Sequence, residues 1–363
     1  MNDAPAPKAT QRLTSLDAYR GAIMISLISV GFGFHTAFAN HPFLGFLSRH
    51  TEHVPWQGFV YWDLIQPAFM FMVGVAMPFA YAKRLSMGDS HNKILFHAFR
   101  RSINLFLVAA VFSSIHAGTP TYTLVNVLPQ IAFGYMATMF VLHKSFRFQG
   151  AVALLILFVY GTAWALYPYC GEGGPWAMSY ENMGGDFDLW AMGRHNSGYW
   201  MSLNAIPSAS TIIAGAMCGK LLASNQSHAK VMKIFAASSI ALIVAGLILS
   251  LWVPIIKRIL SPSFALYSTG WSILFLMVFY WIIDVLGYKK WTFFLIVIGM
   301  NSIAAYVVFQ LFRGWIDNSI MVFSRPVIDA LGIYGDVLQA FLVLAAQWYI
   351  FYFFYQKKVF FKV

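Results

Sequence analysis

The chain has 363 residues, of which 59% are apolar and only 10% charged. An ordinary soluble domain carries about 25% charged residues, and the mean hydropathy here is +0.65. A soluble enzyme and a disordered chain are both excluded; the class is all-α and polytopic, a multi-pass membrane protein. The 24 Lys and Arg against 13 Asp and Glu give a net charge of +11. In a membrane protein such an excess reports which side the loops face, so nucleic-acid binding is not expected.

A spanning helix needs roughly 20 mostly apolar residues. Ten segments qualify, at about 20–39, 58–82, 102–117, 125–143, 150–168, 203–223, 233–253, 265–284, 293–312 and 336–355, the third being short. Residues 1–19 then form a cytoplasmic N-terminal segment and 20–363 a single transmembrane domain. No cleavable signal peptide is expected, because the first apolar stretch lacks a small-residue cleavage site. When sides alternate, 18 of the 24 cations fall on the side of the N-terminus. That bias predicts both termini inside, in a cell inner membrane, with loops 40–57 and 168–202 outside. The second of these loops is rich in Gly and aromatics, which fits an ordered lid better than a linker. Cys170 in that loop and Cys218 in an apolar segment are not expected to meet. No internal repeat is evident. Pro67, Pro78, Pro129 and Pro207 break helices without the two-half symmetry common in carriers.

Ionisable groups are costly in lipid and are the first functional suspects. The second span opens His53-Val-Pro-Trp-Gln-Gly58 and continues Trp62-Asp63-Leu-Ile-Gln66-Pro67. Asp63 and Gln66 share a helix face, and His53 precedes them. An imidazole beside a carboxylate is suited to proton transfer or nucleophilic work, because the carboxylate fixes its tautomer. The alternative is that Asp63 and Gln66 hydrogen-bond neighbouring helices and His53 is an interfacial loop residue. Gly31, Gly33 and His35 place small residues and an imidazole near the same end, as packing positions or site members. His116 closes the third span. Asn126, Gln130, Asn204 and Asn301 either line a cavity or glue helices together. Lys257 and Arg258 violate the charge rule and either bind an anion or snorkel. Asp17 and Arg20 form an entry ion pair. Arg100 and Arg101, opening the third helix, are topology anchors or, with Lys83, Arg84 and Lys93, a phosphate-binding surface. Metal-site, nucleotide-loop and serine-hydrolase patterns are missing.

Taken in order, several short motifs resemble the family of heparan-alpha-glucosaminide N-acetyltransferase and its bacterial relatives. They are Arg12-Leu-Thr-Ser-Leu-Asp-Ala-Tyr-Arg-Gly21, His53-Val-Pro-Trp-Gln-Gly58, Asp63-Leu-Ile-Gln-Pro67 and Phe71-Met-Val-Gly74. Arg100-Arg101, Asn126-Val-Leu-Pro-Gln-Ile-Ala132, Pro254-Ile-Ile-Lys257 with Ser263-Phe264, Asp284-Val-Leu-Gly287 and Gly299-Met-Asn-Ser302 follow. The match covers nearly the whole chain. It implies a transmembrane acyltransferase that uses cytosolic acetyl-CoA to acetylate a sugar amine across the membrane. His53 matches the active histidine. Gly31 stands where the lysosomal enzyme carries an asparagine, with His35 as a stand-in, and Pro129-Gln130 stands where many members have Gln-Arg. On this reading His53 accepts the acetyl group or acts as general base, Asp63 orients it, and Arg100 and Arg101 bind the phosphates of acetyl-CoA. Trp56, Gln66, Asn204, Lys257, Asn301 and His35 make up the substrate-binding set. Trp56 and Trp62 would offer ring faces to the sugar. Glu172, Glu181, Asp186 and Asp188 would favour a small cationic amino sugar such as glucosamine over an acidic chain. The partners are then amino sugar, acetyl-CoA and the bilayer, and a homodimer is compatible with it. The rival readings are a sugar permease and a relative that binds sugar or CoA without turnover.

Overall fold

The computed structural model describes residues 13–169 and 172–361. Lys8, Arg12, Cys170 and Lys362 lie outside the described residues, as does most of the expected N-terminal segment. In chain order the helices are α1 (Thr14–Ile28), α2 (Phe34–Ala37), α3 (Gly45–His50), α4 (Tyr61–Ser86), α5 (His91–Ala117), α6 (Val127–Val141) and α7 (Phe146–Leu166). They continue as α8 (Met183–Met192), α9 (Ala205–Ala223), α10 (His228–Leu249), α11 (Pro262–Tyr280), α12 (Phe293–Gly299), α13 (Ser302–Leu331) and α14 (Gly335–Gln356). Among the described residues there is no strand, only an isolated antiparallel bridge between Gln57 and Ile256. Seven stretches among the described residues are long and apolar enough to cross a membrane. The all-helical class holds.

Three expected spans differ in detail. The first ends at Ile28 instead of running to 39, because Val30, Gly31, Phe32 and Gly33 all take positive φ. A left-handed run of four cannot continue a right-handed helix. The third is long: α5 starts at His91, where Ser90 Oγ caps the Lys93 N–H at 3.3 Å. Arg100 and Arg101 therefore lie well inside a helix about 40 Å long and do not open it. The ninth is cut at Met300–Asn301, and α13 runs on to Leu331. The expected boundary at residue 19 falls inside α1.

Contacts divide the described chain into two units. The larger comprises Trp56–Gly58 and Gln66–Met277, and so takes in most of α4 together with α5 to α10 and nearly all of α11. Gly215-Ala-Met-Cys-Gly219 on α9 brings two glycines to one face, and a Cβ at either would collide with the α4 carbonyl oxygens of Phe71 and Val75. Small residues at this spacing let helix backbones touch where no hydrophobic effect drives helices together. Serines add backbone bonds: Ser102 to the Ala132 carbonyl at 3.0 Å and Ser239 to that of Gly270 at 2.9 Å.

The smaller unit comprises Leu13–Pro55, Phe59–Ile65 and Val278–Val363. Here α1 and α12 cross through Gly21 and Gly299, whose Cβ positions would overlap the backbone of Leu295 and Asp17. Asp284 Oδ2 accepts the Ser15 N–H at 3.2 Å, placing a carboxylate on the positive end of α1. Asp17 and Arg20 form the expected pair at 3.8 Å. Asn301, 1% exposed, binds the C-terminal segment through both ends of its amide, to the Val359 carbonyl at 3.0 Å and the Phe361 N–H at 3.1 Å. It glues the α12–α13 break and does not present its amide to a cavity.

Because the α1–α12 crossing is backbone on backbone, Gly21→Ala and Gly299→Ala each cost about 1–3 kcal/mol through overpacking. A fall in detergent thermal-unfolding midpoint measures this. Gly314→Ala on α13, where a Cβ meets nothing within 4 Å, leaves the midpoint unchanged or higher, as alanine is the better helix former.

Candidate functional site

The start of α4 builds the strongest constellation, wholly inside the smaller unit. Asp63 is the third residue of the helix, and its Oδ2 turns back to accept the Val60 N–H at 3.2 Å. This is the acidic half of a capping box, filling a donor that the first helical turn leaves unpaired. His50 Nδ1 accepts the next N–H, that of Tyr61, at 3.3 Å, and the Tyr61 hydroxyl meets Ser26 Oγ at 2.7 Å. The other Asp63 oxygen, Oδ1, lies 2.8 Å from His53 Nδ1. The carboxylate side chain is 1% exposed and the imidazole 39%, with the Trp62 ring 6.4 Å from the imidazole. An ionised carboxylate only accepts, so Nδ1 carries the proton and Nε2 the basic lone pair. This is the geometry of a general base or nucleophile that becomes a carboxylate-stabilised imidazolium.

The left-handed turn lies against the loop before His53. A Cβ on Gly31 would stand 2.6 Å from Thr51 Cβ, and Gly31 itself has φ +67°. The asparagine that the resemblance places at this position would need Thr51 to move. Gly31 and His35 are not one α-helical turn apart, since the left-handed run separates them. His35 Nδ1 instead pairs with Glu52 Oε2 at 3.1 Å, both side chains about half-exposed.

The larger unit holds the remaining polar candidates. Gln66 Nε2 donates to Gln130 Oε1 at 2.7 Å, Gln130 Nε2 to Asn204 Oδ1 at 2.7 Å and Asn204 Nδ2 to the Arg258 carbonyl at 3.3 Å. Asn126 caps α6 through the Leu128 N–H at 3.0 Å. Trp56 corrects an expectation. It is 8% exposed, packed with Tyr160, Trp164, Met201 and Ile256, and its Nε1 donates to the Trp176 carbonyl at 2.8 Å, so it offers no open face to a sugar. Lys257 does not snorkel, being 5% exposed with its Nζ 5.7 Å from the Trp200 ring centroid. Arg258 lies over the same ring and donates to the Gly198 carbonyl. His116 bonds within its own helix, to the Phe112 carbonyl at 2.8 Å.

Among the basic candidates, Arg100 is exposed, whereas Arg101 is half-buried with its guanidinium 4.9 Å from the Tyr135 ring and a buried Nε without a hydrogen bond. Arg84 and Lys93 clamp Asp89 at 3.2 and 2.6 Å; the Lys93 bond above all holds that carboxyl below its ordinary range. Those two cations thus share one carboxylate, which leaves the cluster a net single positive charge.

Loop 168–202 is ordered across its described residues. The Trp164 and Trp176 rings stack at 6.2 Å, and Tyr180 stacks on His195 and Tyr199. Asp188 is fully buried, accepting the Ser202 N–H at 3.1 Å and Asn196 Nδ2 at 2.7 Å, so it holds the loop and does not face a sugar. Asp186 accepts the Tyr167 hydroxyl at 2.7 Å. Glu172 and Glu181 remain exposed. Arg194 ties the loop to Thr121 at 2.6 Å.

The sequence reading set Gln130 among several cavity or glue residues, and the structure makes it the hub of the amide chain. Its place in an apolar helix was the available signal, but its partners were not. Compared with protein-family models and with curated protein sequences, the chain matches none.

Burial raises the Asp188 carboxyl above its ordinary value of 3.8. The unfolded chain therefore ionises first, and stability falls as pH climbs from about 3.8 to the raised folded value, then levels. Asp188→Asn removes this slope. Unfolding midpoints of both proteins across that acidic window are the check.

Proposed function

We propose that this chain is a transmembrane acyltransferase resembling the heparan-alpha-glucosaminide N-acetyltransferase family, moving acetyl from acetyl-CoA to a small amino sugar. The observation that carries the reading is the 2.8 Å bond between the exposed His53 and the buried Asp63, falling on the motif that carries the resemblance. Two routes balance. In one, Nε2 attacks the thioester carbonyl, the C–S bond breaks, and the departing thiolate takes a proton from solvent. The sugar amine then displaces imidazole from the acetyl carbon and surrenders a proton to it. In the other, Nε2 takes the ammonium proton and the amine attacks the thioester directly. Either yields one amide and one CoA thiol.

Ten crossings with both termini inside fit this reading. The last of the seven apolar stretches, Ser302–Gln356, contains the two helices α13 and α14, while α6 and the segment Lys290–Gly299 are shorter apolar helices. His53 then lies at the outer, periplasmic end of an inner-membrane protein. The phosphates of cytosolic acetyl-CoA meet the inner end, where Arg100 is the exposed cation and Arg101 rests on Tyr135. Glu172 and Glu181 are the outer carboxylates left to attract a cationic sugar.

The test is release of free thiol from acetyl-CoA by purified protein given glucosamine, beside sugar uptake in vesicles. His53→Ala reduces turnover by about 10²–10⁴-fold with folding intact, and Asp63→Asn lowers kcat more than it raises KM. Uptake without thiol release would return the permease. For the donor, Arg100→Ala and Arg101→Ala raise the apparent KM for acetyl-CoA more than that for the sugar. Equal effects on both would mark anchors.

A further inference from the structure

The direction of the amide chain in the larger unit is fixed by chemistry. A glutamine or asparagine amide can be turned end for end, so the groups at its far end decide which way it points. Asn204 ends on the carbonyl of Arg258 at 3.3 Å. A carbonyl has no proton to give, so Asn204 directs its NH₂ there and its Oδ1 toward Gln130. Gln130 must then donate, and does so at 2.7 Å; the same NH₂ reaches the Val125 carbonyl at 3.2 Å, a second group that only accepts. Gln130 Oε1 is left facing Gln66, which donates to it at 2.7 Å. Reversing Gln130 or Asn204 would set oxygen against oxygen in an apolar interior, where an unpaired polar group is expensive. Gln130 and Asn204 are 0% and 1% exposed, and Gln66 is only partly buried. All donors point inward, so the chain ends at its partly buried head in an oxygen, Gln66 Oε1. Among the described residues no hydrogen bond reaches that atom.

We propose that Gln66 Oε1 is a substrate-binding point that selects for an N–H or O–H donor on the acyl-accepting sugar, with Gln130 and Asn204 as the positioning residues that keep it an acceptor. The identity of the substrate rests on the acyltransferase reading; the polarity of the binding point does not. An ammonium or hydroxyl satisfies this oxygen, whereas a carboxylate or carbonyl is repelled.

The experiment is calorimetric binding of glucosamine to the detergent-purified full chain without acetyl-CoA. Wild type binds, and Gln66→Leu weakens binding by about tenfold or more, the effect of losing a hydrogen bond to a charged donor. In that variant the Ser208 hydroxyl, 3.4 Å from Gln130 Oε1, can replace the lost donor, so cooperative unfolding is retained. Gln66→Lys supplies a second arm, keeping a donor for Gln130 while turning the outward acceptor into a donor; it loses glucosamine more completely and decides the matter where the leucine variant misfolds. Unchanged affinity in either folded variant, or a wild type that binds no glucosamine, overturns the proposal. A wild type that binds glucosamine but never releases thiol defeats the acyltransferase reading alone.

Discussion

Asp63 must be satisfied from within the protein, because a carboxylate with no exposed surface cannot use water. Its two oxygens are filled from opposite directions, by the Val60 N–H and by His53 Nδ1. The first bond starts helix α4 and the second orients the imidazole. Removing either partner takes a hydrogen bond from a buried carboxylate, a cost of about 1–3 kcal/mol. The same necessity therefore fixes a helix terminus and a tautomer, and the chemistry proposed for Nε2 follows from the tautomer.

Similar accounting recurs through both units. With lipid outside and apolar side chains inside, burial gives little preference for one helix arrangement over another, so backbone approach and polar pairing decide. Gly21 and Gly299 seat α1 on α12, and Gly215 and Gly219 seat α9 on α4. Asn301 closes the α12–α13 break onto the C-terminal segment. Gln149 spends its NH₂ on the carbonyls of Val141, Leu142 and Lys144 at the end of α6. These interactions are short-ranged and directional, which suits them to set register.

Carboxylates that the charge pattern groups together separate into distinct roles. Asp188 is buried inside loop 168–202, Asp186 accepts the Tyr167 hydroxyl, and Glu172 and Glu181 face outward. Sequence position alone made all four loop carboxylates equal candidates for attracting a cation. Hydrogen bonding leaves two of them exposed and without an internal role.

Composition by itself determined the class of this protein, because 10% charge in 363 residues cannot solvate a soluble fold, and apolar run length placed a span on each of the long helices though not their ends. The pairing of His53 with Asp63 was one of two readings that the sequence left open, and the 2.8 Å bond decides between them. Other features were decided by the tertiary structure. The burial of Trp56 depends on Trp164 of α7 and Trp176 of a distant loop, the want of room at Gly31 on where Thr51 packs, and the polarity of Gln66 on the Arg258 carbonyl. Hydropathy and periodicity are sums over neighbours along the chain. A hydrogen bond or a backbone crossing joins residues far apart in it, and only the folded chain specifies which ones meet.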